Sequence, residues 1–345
     1  MRGGDFRLAA SRRDHTGQCQ SGDTCYVAQH RKEGMLTIFT TAKPFEGQFR
    51  DIQWNAIKSW TLLRPQPEII VLGNESGVSE IASTLGLKHI GEVRRSVHGT
   101  PLLNSLIETA QEAASNTLMC YINADIILMG DFMAAVQNLR QTMGNESFLL
   151  VGRKLSSLQI DGVLEFGRSD WETRLKDRAA REGLYGTTDC DYFVFKKGLW
   201  QDIPPFAIGR FYWTQWMMYA ARQANVPMID ATPVVKAVEP AHGYSHAPSL
   251  VFQREAEQNH KLFGNCRYYS ALNASHVLTP SGLKKRPLNY LLRGAIQRPV
   301  LWSWHLLNYS GTRWAKAVFG PLRWAYRAVG RPVWPFICRR VLGRM

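Results

Sequence analysis

Nowhere in this 345-residue chain does an apolar run reach the roughly 18 residues that a membrane-crossing helix needs. Paired cysteines are missing too. The six thiols, at positions 19, 25, 120, 190, 266 and 338, form no CxxC motif and no framework for a small disulfide-stapled domain, which points to a reducing compartment. Met1 to Gly34 is polar and charged and lacks the apolar core of a secretory signal. Because the first convincing strand starts beside Met35, residues 1–34 are expected to be disordered, or to precede the true start of synthesis. There is no internal repeat and no low-complexity segment. The most telling absence is of acid. Ser275 to Met345 contains thirteen Lys or Arg and not one Asp or Glu. The rest of the chain holds 29 of the 42 basic residues against all 28 acidic ones, so a body of charge near +1 accounts for little of the net +14.

What is present reads as an ordinary globular body, with 45% hydrophobic and 20% charged residues. From Met35 apolar runs alternate with amphipathic stretches. Strands are predicted at 36–41, 68–73, 89–93, 119–125 and 148–152, and helices at 49–63, 78–85, 101–114 and 131–143. Such alternation predicts an α/β fold, a mostly parallel sheet flanked by helices. After Gly152 the regularity fades. Asp191–Phe195 reads as a strand, Phe211–Gln223 as a helix, and Pro240–Ser249 as a loop. The expected organisation is a domain over 35–274 followed by a basic, aromatic, helical region over 275–345.

One segment carries chemistry. Cys120-Tyr121-Ile122-Asn123-Ala124-Asp125-Ile126-Ile127-Leu128 is apolar on both flanks, as a strand buried on both faces must be, with two polar residues at its end. Ligands of open α/β sheets sit just beyond the carboxyl ends of such strands. A carboxylate there can hold a divalent cation against a diphosphate, or can cap the helix that follows.

With that motif in place, five phrases in order resemble an uncharacterised bacterial and plant branch of the GT-A-type nucleotide-sugar glycosyltransferases. They are Thr37–Phe45 (TIFTTAKPF), Gly99–Ser105 (GTPLLNS), Tyr121–Asp125 (YINAD), Asp191–Phe195 (DYFVF) and Ile203–Arg210 (IPPFAIGR). The resemblance implies a Rossmann-like GT-A domain that moves a sugar from a nucleotide-diphospho-sugar to a glycan or lipid-linked acceptor. It implies that Thr40, Thr41, Lys43, Asn74, Glu75, Asn104 and Asn123 bind the donor. Asp125 then matches the last Asp of a DxD motif, with Asn123 replacing the first, and holds Mn²⁺ or Mg²⁺. His242 or His246 would add a ligand; the other reading of either is an ordinary hydrogen-bonded histidine.

Departures from the branch matter. Trp213-Thr214-Gln215-Trp216 stands where the branch has Trp-Asp-Asn-Trp, so the acid aligned with the base of many inverting enzymes is absent. Glu239 replaces a histidine, and Leu155-Ser156 replaces Trp-Asp. Asp191 and Glu239 remain as candidate bases, and Arg210 as a group stabilising the leaving diphosphate. In the tail, Arg313, Lys316, Arg323 and Arg327 share one side of a helical projection, opposite Trp314, Val318, Leu322, Ala325 and Val329. That pattern suits either an interfacial helix on anionic lipid or a helical subdomain packed on the body. The leading expectation is a cytoplasmic enzyme bound peripherally to the inner membrane face, with nucleic acid an unlikely partner. A nucleotidyltransferase of related fold and a non-catalytic nucleotide- or nucleic-acid-binding protein are the alternatives.

Overall fold

A computed structural model describes residues 34–242 and 250–286, apart from the side chains of residues 186–189. In chain order the elements are Thr37–Thr41 (β1), Gly47–Thr61 (α1), Glu68–Leu72 (β2), Val78–Leu85 (α2), Lys88–Ile90 (β3), Leu103–Ala113 (α3), Leu118–Ile122 (β4) and Gly130–Met143 (α4). There follow Leu149–Leu158 (β5), Trp171–Glu182 (α5), Leu184–Lys196 (β6), Trp213–Gln223 (α6), Met228–Asp230 (β7), Ala237–Pro240 (β8), Leu250–Phe263 (α7), His276–Thr279 (β9) and Gly282–Lys285 (β10). All ten strands join one sheet in the order β10-β9-β7-β5-β6-β4-β1-β2-β3, and β8 pairs with β5 beyond the end of β7.

The sheet is α/β, mixed and mostly parallel. Only the β4–β6, β5–β6 and β9–β10 pairings are antiparallel. Its central strands carry consecutive apolar residues because both faces are covered. Ile38, Val71, Cys120, Ile122, Leu150 and Val194 pack with Ile57 and Trp60 of α1 and with Phe132 and Val136 of α4. Their immediate neighbours Phe39, Leu72, Tyr121, Val151 and Phe193 pack on the other side with Leu106 of α3 and Met217 of α6. Side chains alternate between faces with period two, so each run of apolar residues feeds two cores. Cys120 and Cys190 are buried within them.

The expected boundary at 274/275 is corrected. β9 pairs with β7 and carries β10 with it, so the sheet continues through Lys285. Arg286 then inserts its guanidinium into the core, bonding the Asp230 carboxylate and the carbonyls of Ala271 and Leu272. Lys284 and Lys285, exposed on the edge strand β10, are part of the sheet, and the acid-free composition had hidden them in a tail. Exposed lysines are a common way to keep an edge strand from pairing with another chain. The tail helix expected at 313–329 lies outside the described residues.

The Asp230–Arg286 pair is only 3% exposed on each side. Removing one partner of a buried pair leaves an uncompensated charge, at a cost of about 3–5 kcal/mol. Arg286→Ala should therefore lower the urea-unfolding free energy by about that amount. A loss below about 1 kcal/mol would mean that the pair does not anchor the end of the sheet.

Candidate functional site

Strands β1, β2 and β4 are parallel, so the residues that end or follow them, 40–43, 73–75 and 123–125, lie along one sheet edge. β6 runs the other way, which brings Asp191, just before the segment that pairs with β4, to that same edge. β5 is antiparallel to β6 and β8 is parallel to β5, so Lys154 and Glu239 arrive there too.

The chain after β4 is held at almost every residue. Asn123 N–H donates to the Asp191 carbonyl (3.1 Å), and Ile126 N–H to that of Asn123 (3.2 Å). From α1, Trp60 Nε1 donates to the Ile126 carbonyl at 2.9 Å, and Ser59 Oγ accepts from Leu128 N–H at 3.1 Å. Ile127 exchanges two backbone hydrogen bonds with Val238, at 2.8 and 3.0 Å. The last contact decides the site. Asp125 lies two residues before the bridge, and Glu239 and His242 lie one and four residues after it. Their ligand atoms fall within 4.8 Å of one another. His242 Nε2 is 3.7 Å from Asp125 Oδ2 and 3.6 Å from Glu239 Oε1.

Lys154 completes the cluster. Its ammonium is 2.8 Å from Glu239 Oε1 and 3.2 Å from Asp191 Oδ2. The other Asp191 oxygen accepts from Asn123 Nδ2 at 2.9 Å, and Tyr121 Oη donates to Asn123 Oδ1 at 3.3 Å. Lys43 stands over the Phe49 ring, 3.9 Å from its centre, and the edge of that ring meets His242. The electrostatics follow. Contact with Asp125, then with Glu239, raises the His242 pKa to about 9. Burial works to raise that of Asp125, but the His242 contact and the Lys154 and Lys43 charges outweigh it and hold the carboxyl below its ordinary value. Burial lowers the Lys43 pKa, against the pull of Asp125 and Glu239.

A second group lines the ends of β1 and β2. Gly73 adopts φ +103°, and a Cβ there would lie 2.4 Å from Glu75 Oε2. Arg95 bonds Glu75 Oε1 at 2.8 Å and Asn74 Oδ1 at 2.9 Å. Thr41 Oγ1, Glu75 Oε2, Asn104 Oδ1 and Asp125 Oδ1 are buried without a hydrogen-bond partner among the described residues. Thr40, also buried, turns its hydroxyl to the Thr41 carbonyl. Arg210 is engaged by Glu255, which is 1% exposed and lies 2.7 Å away. Glu255 also accepts from Ser96 and Thr100.

The sequence-predicted Asn123, Asp125, Asp191, Glu239 and His242 thus form one connected cluster. Lys43 flanks it, Asn74 and Glu75 form a separate set around Arg95, and His246 lies outside the described residues. Lys154, Arg95, Phe49 and Glu255 escaped the sequence reading. Lys154 follows Arg153 in β5, and no local pattern singles it out.

No family profile matches this sequence, and no curated protein does. Among solved structures, the chain is similar to S. aureus TarS 1-349 in complex with UDP-GlcNAc, at 12% identity over 68% of either chain with a TM-score of 0.44. It is also similar to the mannosyltransferase PcManGT from Pyrobaculum calidifontis in complex with GDP-Man and Mn²⁺, at 12% identity, 88% and 83% coverage and a TM-score of 0.46.

His242 gives a pH signature in metal-free protein. Its folded pKa of about 9 exceeds the ordinary 6.5, so its pairing contributes stability that is fully present below pH 6.5 and lost as pH rises through about 9. His242→Gln, unfolded in urea with a chelator present, should differ most from wild type below pH 6.5 and least above pH 9. A difference that stays constant with pH would contradict the pairing.

Proposed function

We propose that the protein is a nucleotide-sugar glycosyltransferase, with its donor diphosphate held at the Asp125 cluster. The observation that carries this reading is the convergence of Asp125, Glu239 and His242 at a sheet edge. It is supported by the unpartnered acceptors of Thr41, Glu75 and Asn104. Those three residues were read from sequence as donor-binding, and their free atoms suit the N–H and O–H groups of a base and ribose.

The cluster fits a divalent cation. Two carboxylates and an imidazole are hard and intermediate donors of the kind Mn²⁺ accepts, and Asp125 Oδ1 is free to ligate. Asp125, Glu239 and His242 would hold the ion, with Asn123 orienting Asp191 beside them. When bound, a divalent cation neutralises charge developing on a leaving diphosphate. Lys43 and Arg210 add positive charge on the same side, and Arg210 is aimed by Glu255.

On the acceptor side, Thr214 at the start of α6 has no proton-accepting carboxylate to offer. Asp191 and Glu239 are the two carboxylates next to the cluster, and one of them takes the acceptor proton in this reading. We place the acceptor, a glycan or a lipid-linked sugar, at an anionic membrane on the cytoplasmic side. That placement rests on the ten basic and five Trp residues, with no acid among them, after 286. Among the described residues, no helix is long and apolar enough to cross a membrane.

Calorimetry with UDP and GDP, with and without Mn²⁺, tests the donor reading. One of the nucleotides should bind more tightly with metal, and Asp125→Ala should lose at least about tenfold of that affinity. Equal binding by both proteins in metal would sink it. For the membrane reading, the full chain should sediment with anionic vesicles, barely with neutral ones, and detach in high salt as screening weakens the charge attraction. Equal sedimentation with both vesicle types would rule this out.

A further inference from the structure

The bulges on either side of Arg153 place Lys154 where it faces two carboxylates at once. In the register of β5 with β8, Lys154 lies opposite Ala237, so Glu239, two residues on, projects from the same face. The Lys154 side chain is 9% exposed, and those of Asp191 and Glu239 are 10% and 11% exposed. Two carboxylates so little hydrated need a cation nearby, and in the metal-free protein Lys154 supplies it.

The same arrangement has a consequence for any second cation. The oxygen that Lys154 holds at 2.8 Å, Glu239 Oε1, is also the one that faces His242 Nε2 at 3.6 Å. An ion that takes this oxygen as a ligand must share it with an ammonium or displace the ammonium from it. Like charges at such range in a poorly hydrated site repel strongly. Asp125 has no Lys or Arg in ion-pair contact among the described residues; its near neighbour is His242, itself one of the three ligands in the metal reading.

We propose that Lys154 is a resident cation that competes with the divalent metal for Glu239 and thereby sets how tightly the metal is held. The inference rests on the metal reading above. It predicts effects of opposite sign in two measurements. Without metal, loss of the Lys154 charge removes the ammonium that bridges Asp191 and Glu239 and lowers the melting temperature. With metal, the same loss frees a ligand and tightens binding. A lysine that merely propped up the fold would weaken both.

The experiment titrates Mn²⁺ alone into the full-length protein by calorimetry, beside melting curves in chelator and in Mn²⁺. Lys154→Met should melt lower than wild type in chelator, gain more from Mn²⁺, and bind the ion about tenfold or more tightly. Lys154→Arg, which keeps the charge, should bind it as wild type does. Should the methionine variant not fold without metal, Lys154→Gln keeps hydrogen-bond donors without the charge and must show the same order of affinities. If the uncharged variants bind Mn²⁺ no more tightly than wild type, while Asp125→Ala abolishes the binding, the competition is wrong and the metal site stands. If no variant shows Mn²⁺ binding that depends on Asp125, both fall together.

Discussion

Two backbone hydrogen bonds between Ile127 and Val238 hold this site together. They join the segment that leaves β4 to a strand more than a hundred residues later, and they set the spacing of Asp125, Glu239 and His242. Everything around the bridge stiffens it. Ser59 and Trp60 of α1 grip its first side, while the pairing of β8 with β5 holds the second. Ile126, Ile127 and Leu128 are fully buried, so the bridge is shielded from competing water. Polar side chains can then converge at the edge of the sheet because their backbones have no freedom to separate.

Charge compensation is the second constraint. Asp125, Asp191 and Glu239 interleave with His242, Lys154 and Lys43, so each carboxylate has a cationic neighbour or a charge acting on it. Farther along the same edge, Arg210 with Glu255 and Arg95 with Glu75 repeat the pattern. A site balanced in this way is stable while empty, and it meets an anionic ligand with fixed positive charge already in place. A lysine occupies the space between Asp191 and Glu239.

How much of this was legible depended on what each residue buries. β1, β2 and β4 could be read because strands covered on both faces carry consecutive apolar residues, and α2 because its ends carry Gly77 and Gly86. α5 was missed, since it buries only Leu175 and Ala179 among charged residues. α7 was missed because its inward face carries Glu255 and Asn259, which break the apolar period of a helix. β9 and β10 were taken for tail because edge lysines look the same as tail lysines. In the site, Asn123 and Asp125 were visible as polar residues ending an apolar strand. The direction of β6 was not, although it decides whether Asp191 lies at the functional edge or the opposite one. Lys154 could be placed only once the register of β5 with β8 was known, because nothing local marks a lysine as facing two distant acids.

In the proposed function, a metal and a nucleotide diphosphate meet at the edge joining Asp125, Glu239 and His242. Anomalous diffraction from crystals soaked with Mn²⁺ and a nucleoside diphosphate locates both. A manganese peak should lie in contact with Asp125 and the diphosphate, with the base beside Glu75 and Asn74. A nucleotide bound elsewhere, or a manganese peak remote from Asp125, would contradict the proposal.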